Sequence, residues 1–233
     1  MTLVEIRLKG TQYMRGYNMR AVIPYKKKNA KSRLSPVFSL EEREELVELM
    51  LKDVYYTLST AGIEDIDILT TPNSDITSEL DANIIENEND LNSAINSYLF
   101  SLNEPVMIVM ADLPLITPTQ IMDIMENDAD ILIVPGKGGG TNILKIKNPV
   151  GFHVKYYGSS YNTHCSIAQQ LARTVEVYDS FRASTDIDEP SDLVELMIHG
   201  TGLAKEYINN KFITSPGKGR VAILADTCKI VSE

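Results

Sequence analysis

Four short apolar runs, AVIPY (21–25), DIDILTT (65–71), VMIVM (106–110) and DILIVP (130–135), recur along the chain, each separated from the next by a segment with helical spacing. A brief apolar run bounded by turn signals reads as a strand covered on both faces. Strands that alternate with helices need crossover connections, and those build a mainly parallel sheet. The expected fold is therefore α/β: a single domain with a mainly parallel sheet flanked by helices. The first helix, Ser39 to Thr60, opens with a capping box, Ser39 with Glu42. A second covers Asp90 to Leu102, and a third opens at Thr117, Pro118 and Gln120, again as a capping box.

The remaining pattern fills in the outline. ANIIEN (82–87) is a short strand, and NILKIK (142–147) alternates as a half-exposed strand would. Ser166 to Arg173 is helical, VEVY (175–178) is a strand, and EPSDLVELMIHG (189–200) is a helix with proline near its start and glycine after its end. The stretch from about 211 to 226 predicts a C-terminal β-hairpin around a Pro-Gly turn. No linker or repeat interrupts residues 19–233, which are expected to form one domain; residues 1–18 match no element and are expected to be an extension.

A net charge of −10 disfavours general binding to nucleic acid or to an anionic membrane. No apolar run approaches the roughly 20 residues needed to cross a bilayer, and the amino terminus lacks a signal peptide's apolar core. Cys165 and Cys228 are too few and isolated for a disulfide framework, so a reducing cytoplasm is the expected setting. Against this acidic background, KKKNAKSR (Lys26 to Arg33) carries five basic residues in eight and directly follows a strand, which suggests a local anionic ligand. The alternative is a solvated charge run.

Ligands of open α/β sheets bind beyond the carboxyl ends of the strands, and four groups fall there. Asp112 follows VMIVMA; it either serves chemistry or merely caps the turn by bonding a backbone N–H two residues on. GKGGGTN (136–142) offers backbone amides to a phosphate or carboxylate, although such loops are often only turns. YYGSSYNTHC (156–165) sets small hydroxyl residues just ahead of a helix; its His164 could assist, but a lone histidine is more often packed. In STDIDEP (184–190), Asp186 and Asp188 point to one side if extended and suit a divalent ion shared with a phosphate. One of them could instead cap a helix starting at Pro190.

Taken in order, AVIPYKKKNAKSRL, ADLPLITP, GGGTN, GSSYNTH and STDIDEPSDL resemble the 2-phospho-L-lactate guanylyltransferase family, which acts in making coenzyme F420. The resemblance covers about Met19 to Gly200 and implies a nucleotidyltransferase fold. It further implies GTP as donor, a small phosphorylated acid as acceptor, and a homodimer. On that basis Asp112, Asp186 and Asp188 would hold Mg²⁺, and Lys26, Lys31 and Arg33 the triphosphate. Gly140, Thr141 and Asn142, with Gly158, Ser159 and Ser160, would hold the acceptor. Thr71, Pro72 and Asn73, with Leu91 and Asn92, would face guanine. Alternatives are the same chemistry on phosphoenolpyruvate, 3-phosphoglycerate or another small phosphate, a non-enzymatic nucleotide sensor, or a protein that docks partners through its basic loop.

Overall fold

The structure, a computed structural model, describes residues 19–72, 74, 76, 79–216 and 221–225. The expected extension at 1–18, Asn73, the turn at 217–220 and Cys228 lie outside them. The elements run β1 (Arg20–Tyr25), α1 (Leu40–Thr60), β2 (Ile66–Thr70), β3 (Asn83–Glu86), α2 (Leu91–Phe100), β4 (Val106–Val109), α3 (Pro118–Glu126), β5 (Ile131–Pro135), β6 (Thr141–Ile146), α4 (Ser160–Gln170), β7 (Val175–Val177), α5 (Phe181–Ser184), α6 (Asp192–His199), α7 (Leu203–Lys211), β8 (Phe212–Pro216) and β9 (Val221–Ala225).

Seven strands form one sheet in the order β3-β2-β1-β4-β6-β5-β7, and β8 pairs with β9 as the expected hairpin. All neighbours are parallel except β6, which runs antiparallel to both β4 and β5. Alternate residues of the central strands β1, β4, β5 and β6 enter opposite cores. Ala21, Ile23, Met107 and Val109 meet α1, α3, α6 and α7 on one face. Val22, Val106 and Ile108 meet α2 and α4 on the other. Both expected capping boxes form, Ser39 with Glu42 and Thr117 with Gln120. Among the described residues no helix is long and apolar enough to cross a membrane.

Two local expectations are corrected, and one helix is added. Strand β6 is not half-exposed: all six of its residues are buried, because it lies between two neighbours with helices on both sides. Its Lys145, only 3% exposed, gives its ammonium to the carbonyls of Met125 (3.1 Å) and Asn127 at the end of α3, where orphan carbonyls await donors. The polar beat in NILKIK thus marks a buried cap, not a wet face. Helix α4 begins at Ser160 rather than Ser166, so half of the YYGSSYNTHC segment is helical. Helix α7 had no forecast. Its first amides, Leu203 N–H (2.7 Å) and Ala204 N–H (3.0 Å), donate to Asp53 of α1, a cap from a distant part of the chain. On the hairpin, Ile213, Val221 and Leu224 are exposed.

Candidate active site at the strand ends

Strand β1 has β2 on one side and β4 on the other, so the chain leaves the sheet in opposite senses there, the switch point where open α/β sheets bind ligands. The loop after β1 carries the basic residues; the loop after β4 carries Asp112. Because β6 runs backwards, its amino end lies beside the carboxyl ends of β4 and β5: Met110 N–H donates to the Asn142 carbonyl at 3.0 Å. A parallel strand would have sent Thr141 to the far end of the sheet.

Lys31 sits at the centre. Its side chain is 10% exposed, and Nζ lies 2.5 Å from Asp112 Oδ2 and 3.3 Å from Asp188 Oδ1. Burial alone would lower its pKa, but the two carboxylates outweigh burial and raise it. Its backbone is left-handed, φ 52°, a strained conformation for a side-chain-bearing residue. The loop is fixed by α1, where Arg43 donates to the Ala30 carbonyl (3.0 Å), Asn29 N–H to Glu44 (3.0 Å) and Lys27 to Glu48 (2.7 Å). Arg33 pairs with Asp188, while Lys26 is exposed on the rim of a cleft of about 130 Å³ that Lys31 and Asp112 also line.

The turn-cap alternative for Asp112 fails on chemistry, since the residue two on is Pro114, which has no N–H. The carboxylate takes Lys31 instead, and the Asp112 carbonyl accepts Ile187 N–H at 3.0 Å. That bond brings the segment with Asp186 and Asp188 alongside. Asp186 Oδ1 is buried without a hydrogen-bond partner. Burial, then the charge of Asp112, push its carboxyl pKa up. Asp188 is differently placed: burial is outweighed by Lys31 and Arg33, which hold its pKa down. The three aspartates therefore do not converge as one ligand set, and among the described residues no group of three or more His, Cys, Asp or Glu could hold a metal. Asp112 and Asp186 remain as a pair. Neither Asp186 nor Asp188 caps α6. Asp192 closes that turn, accepting Asp188 N–H (2.9 Å) and Glu189 N–H (2.8 Å), and also pairs with Lys137 of the glycine loop.

On the acceptor side, the two expected loops meet. A Cβ on Gly139 would lie 3.5 Å from Ser159 Oγ, and Ser160 Oγ donates to Thr141 Oγ1 at 3.2 Å. Gly158 adopts φ 62°, where glycine is unstrained. Thr141 and Asn142 face opposite sides of the sheet. Asn142 donates to the Ala183 carbonyl (3.1 Å) and fills the space over Gly136, where a Cβ would approach its Oδ1 to 2.1 Å. Its amide nitrogen thus supports the loop from beneath, contrary to its expected place at the acceptor; Gly140 lies on the loop. Asn92 is likewise spent: it donates to the Tyr156 carbonyl (3.2 Å) and accepts Tyr156 N–H (2.6 Å). Leu91 opens α2 and packs partly into the core. Thr71 and Pro72 stand at the end of β2, with the Thr71 carbonyl accepting Ser74 Oγ–H at 2.6 Å.

His164, for which the sequence allows either an assisting or a packed role, is fully buried beside these groups. Burial, aided by His153, lowers its pKa to about 4 from an ordinary 6.5. The unfolded chain thus takes up a proton between these pH values that the native protein refuses, so stability is complete above pH 6.5 and falls as pH drops towards 4. The expected loss is roughly 3 kcal/mol across that window. Urea midpoints of the wild type and of His164→Asn against pH check it; parallel curves would show that His164 is already charged in the native state.

A putative nucleotide-diphospho-sugar transferase from Desulfovibrio desulfuricans superposes with TM-score 0.64 at 14% identity, over 82% of this chain and 94% of the other. A nucleotidyl transferase from Methanothermobacter thermautotrophicus does so with TM-score 0.57 at 13% identity, over 78% and 96%. The architecture is therefore nucleotidyltransferase-like, with a charged cluster at the switch point where open α/β sheets in general bind ligands. More narrowly, the chain belongs to the CofC-like guanylyl transferase family, whose model matches residues 19–220. Curated relatives named 2-phospho-L-lactate guanylyltransferase include those of Methanosarcina mazei and Methanosarcina acetivorans, 58% and 59% identical over 206 residues, 88% of this chain and 99% of each relative. One from Methanocella arvoryzae is 46% identical over 208 residues, 89% of this chain and 93% of the relative.

Proposed function

We propose that the chain is a guanylyltransferase that moves GMP from GTP onto the phosphate of 2-phospho-L-lactate in coenzyme F420 biosynthesis. The observation that carries the reading is the continuity of the cluster: the basic loop reaches Asp112 and Asp188, Asp112 reaches Ile187, and Asp192 reaches Lys137 of the glycine loop beside Ser159. Donor and acceptor anions have adjoining places. An acceptor phosphate oxygen bonds to the α-phosphorus, the bond from that phosphorus to the bridging oxygen of the β-phosphate breaks, and pyrophosphate leaves with the electron pair. The nucleophile is already ionised, so no general base is needed, and His164 as a neutral buried ring is not asked to be one.

The chain's residues position and neutralise. Lys31 carries three N–H donors; Asp112 and Asp188 occupy two, leaving one for phosphate. Lys26 and Arg33 stand outside it for the leaving pyrophosphate. Thr141, Ser160 and the amides around Gly140, Gly158 and Ser159 take the acceptor's carboxylate and phosphate. Guanine falls to the loop at Thr71 and Pro72. Magnesium commonly uses one or two carboxylates together with substrate phosphates, which suits Asp112 and the orphaned oxygen of Asp186; bound there it would offset phosphate charge and orient the reacting oxygens.

The test is pyrophosphate release with Mg²⁺ across four nucleoside triphosphates and 2-phospho-L-lactate, phosphoenolpyruvate, 3-phosphoglycerate and glucose-1-phosphate. Release is expected with GTP and 2-phospho-L-lactate. Release confined to another acceptor would retain the chemistry and replace the substrate; silence throughout, with GTP still bound, would favour the nucleotide sensor.

A further inference from the structure

Ser160 and His164 stand four residues apart on α4 and so share one face of the helix. Both reach Thr141 Oγ1, the serine hydroxyl at 3.2 Å and His164 Nδ1 at 2.9 Å. The other ring nitrogen, Nε2, accepts the backbone N–H of Lys155 at 3.0 Å. An acceptor at Nε2 fixes the tautomer of a neutral imidazole: the proton is on Nδ1 and points at Thr141. The opposite tautomer would set N–H against N–H at Lys155. Thr141 Oγ1 then receives two hydrogen bonds, from His164 and from Ser160, and both its lone pairs are used. Its own proton is left to give.

The surroundings preserve this arrangement. The His164 ring has no exposure, and the Tyr156 ring packs edge-on against it at 5.0 Å. Tyr156 is held in turn by Asn92 through both its backbone groups. Burial keeps the ring uncharged at neutral pH. We propose that His164 is a positioning residue whose Nδ1–H fixes the Thr141 hydroxyl as a hydrogen-bond donor to an anionic group of the acceptor. This rests on the reading that Thr141 belongs to the acceptor site.

Asparagine and glutamine separate the two ends of the ring. The amide of His164→Asn reaches where Nδ1 was and can still donate to Thr141, whereas that of His164→Gln reaches where Nε2 was and keeps only Lys155. With the full chain, GTP and 2-phospho-L-lactate, His164→Gln is expected to raise the acceptor KM about tenfold, the worth of one hydrogen bond, and His164→Asn by less than about threefold. The KM for GTP should hold in both. Thr141→Val should raise the acceptor KM as His164→Gln does and add nothing to it in the double variant. Equal effects of Asn and Gln, or additive effects with Thr141→Val, would overturn the assignment. Nitrogen NMR of the ring gives an answer independent of turnover: a proton on Nε2 overturns it outright. A wild type that releases no pyrophosphate defeats the functional reading and this role with it, whereas a working wild type with equal variants defeats the role alone.

Discussion

Asp112→Asn is expected to lower turnover by two to nearly four decades while the protein stays folded. The estimate corresponds to about 3–5 kcal/mol of barrier for losing one charged group beside transferring phosphates. The amide keeps the shape of the side chain, and the Asp112 carbonyl still accepts Ile187 N–H, so the adjoining segment keeps its anchor. What is lost is charge: Lys31 loses its nearer carboxylate, 2.5 Å away, and Asp186 loses the negative neighbour that helps to raise its pKa. Pyrophosphate release under saturating substrates measures the first effect and the melting temperature controls for the second. Turnover at the wild-type rate would remove Asp112 from the site.

Lys31→Met should be the second largest. Methionine keeps much of the aliphatic stem and meets the same left-handed backbone, so packing changes little. It removes the cation from between Asp112 and Asp188 and the donor left for phosphate. A kcat/KM for GTP reduced by about 10²–10³ is expected, near 3–4 kcal/mol, the usual cost of one well-placed donor to developing charge. The stability loss should be smaller, about 1–2 kcal/mol, because the two carboxylates are 28% and 31% exposed and water screens them. Lys31→Arg should not rescue, since a planar fork does not replace a compact ammonium in a buried position. A destabilised Lys31→Met protein with undiminished kcat/KM would make Lys31 a structural counter-charge only.

The strands and the capped helices were legible because their signals are local: an apolar run, a serine three residues before a glutamate, a threonine before a proline. The fold failed to show itself where the partner is distant. Nothing near Leu203 announces a helix, because its cap is Asp53. The burial of β6 is invisible while its lysine looks like a solvent-facing residue, and only the end of α3 explains it. The site followed the same division. Asp112 drew attention by following an apolar run and the basic loop by following another, whereas particular roles for Lys31 and Thr141 came only with the family resemblance. Asn92 and Asn142, expected at guanine and at the acceptor, are both committed to backbone groups across the fold. His164 had a signal that was passed over: it lies four residues after Ser160, which only matters once the helix is known to begin there.

The reversed strand β6 has a consequence for how such a protein can change. The groups proposed for the nucleotide hang from β1, β2 and β4, and those proposed for the acceptor from β6 and α4, and the β4–β6 pairing joins the two halves of the sheet. The loops at 136–140 and 158–159 flank the buried strand β6 and can be re-lettered while that strand and the loop that carries Lys31 stay in place. A lineage, or an engineer, could exchange the molecule that is capped while keeping intact the half that opens the triphosphate.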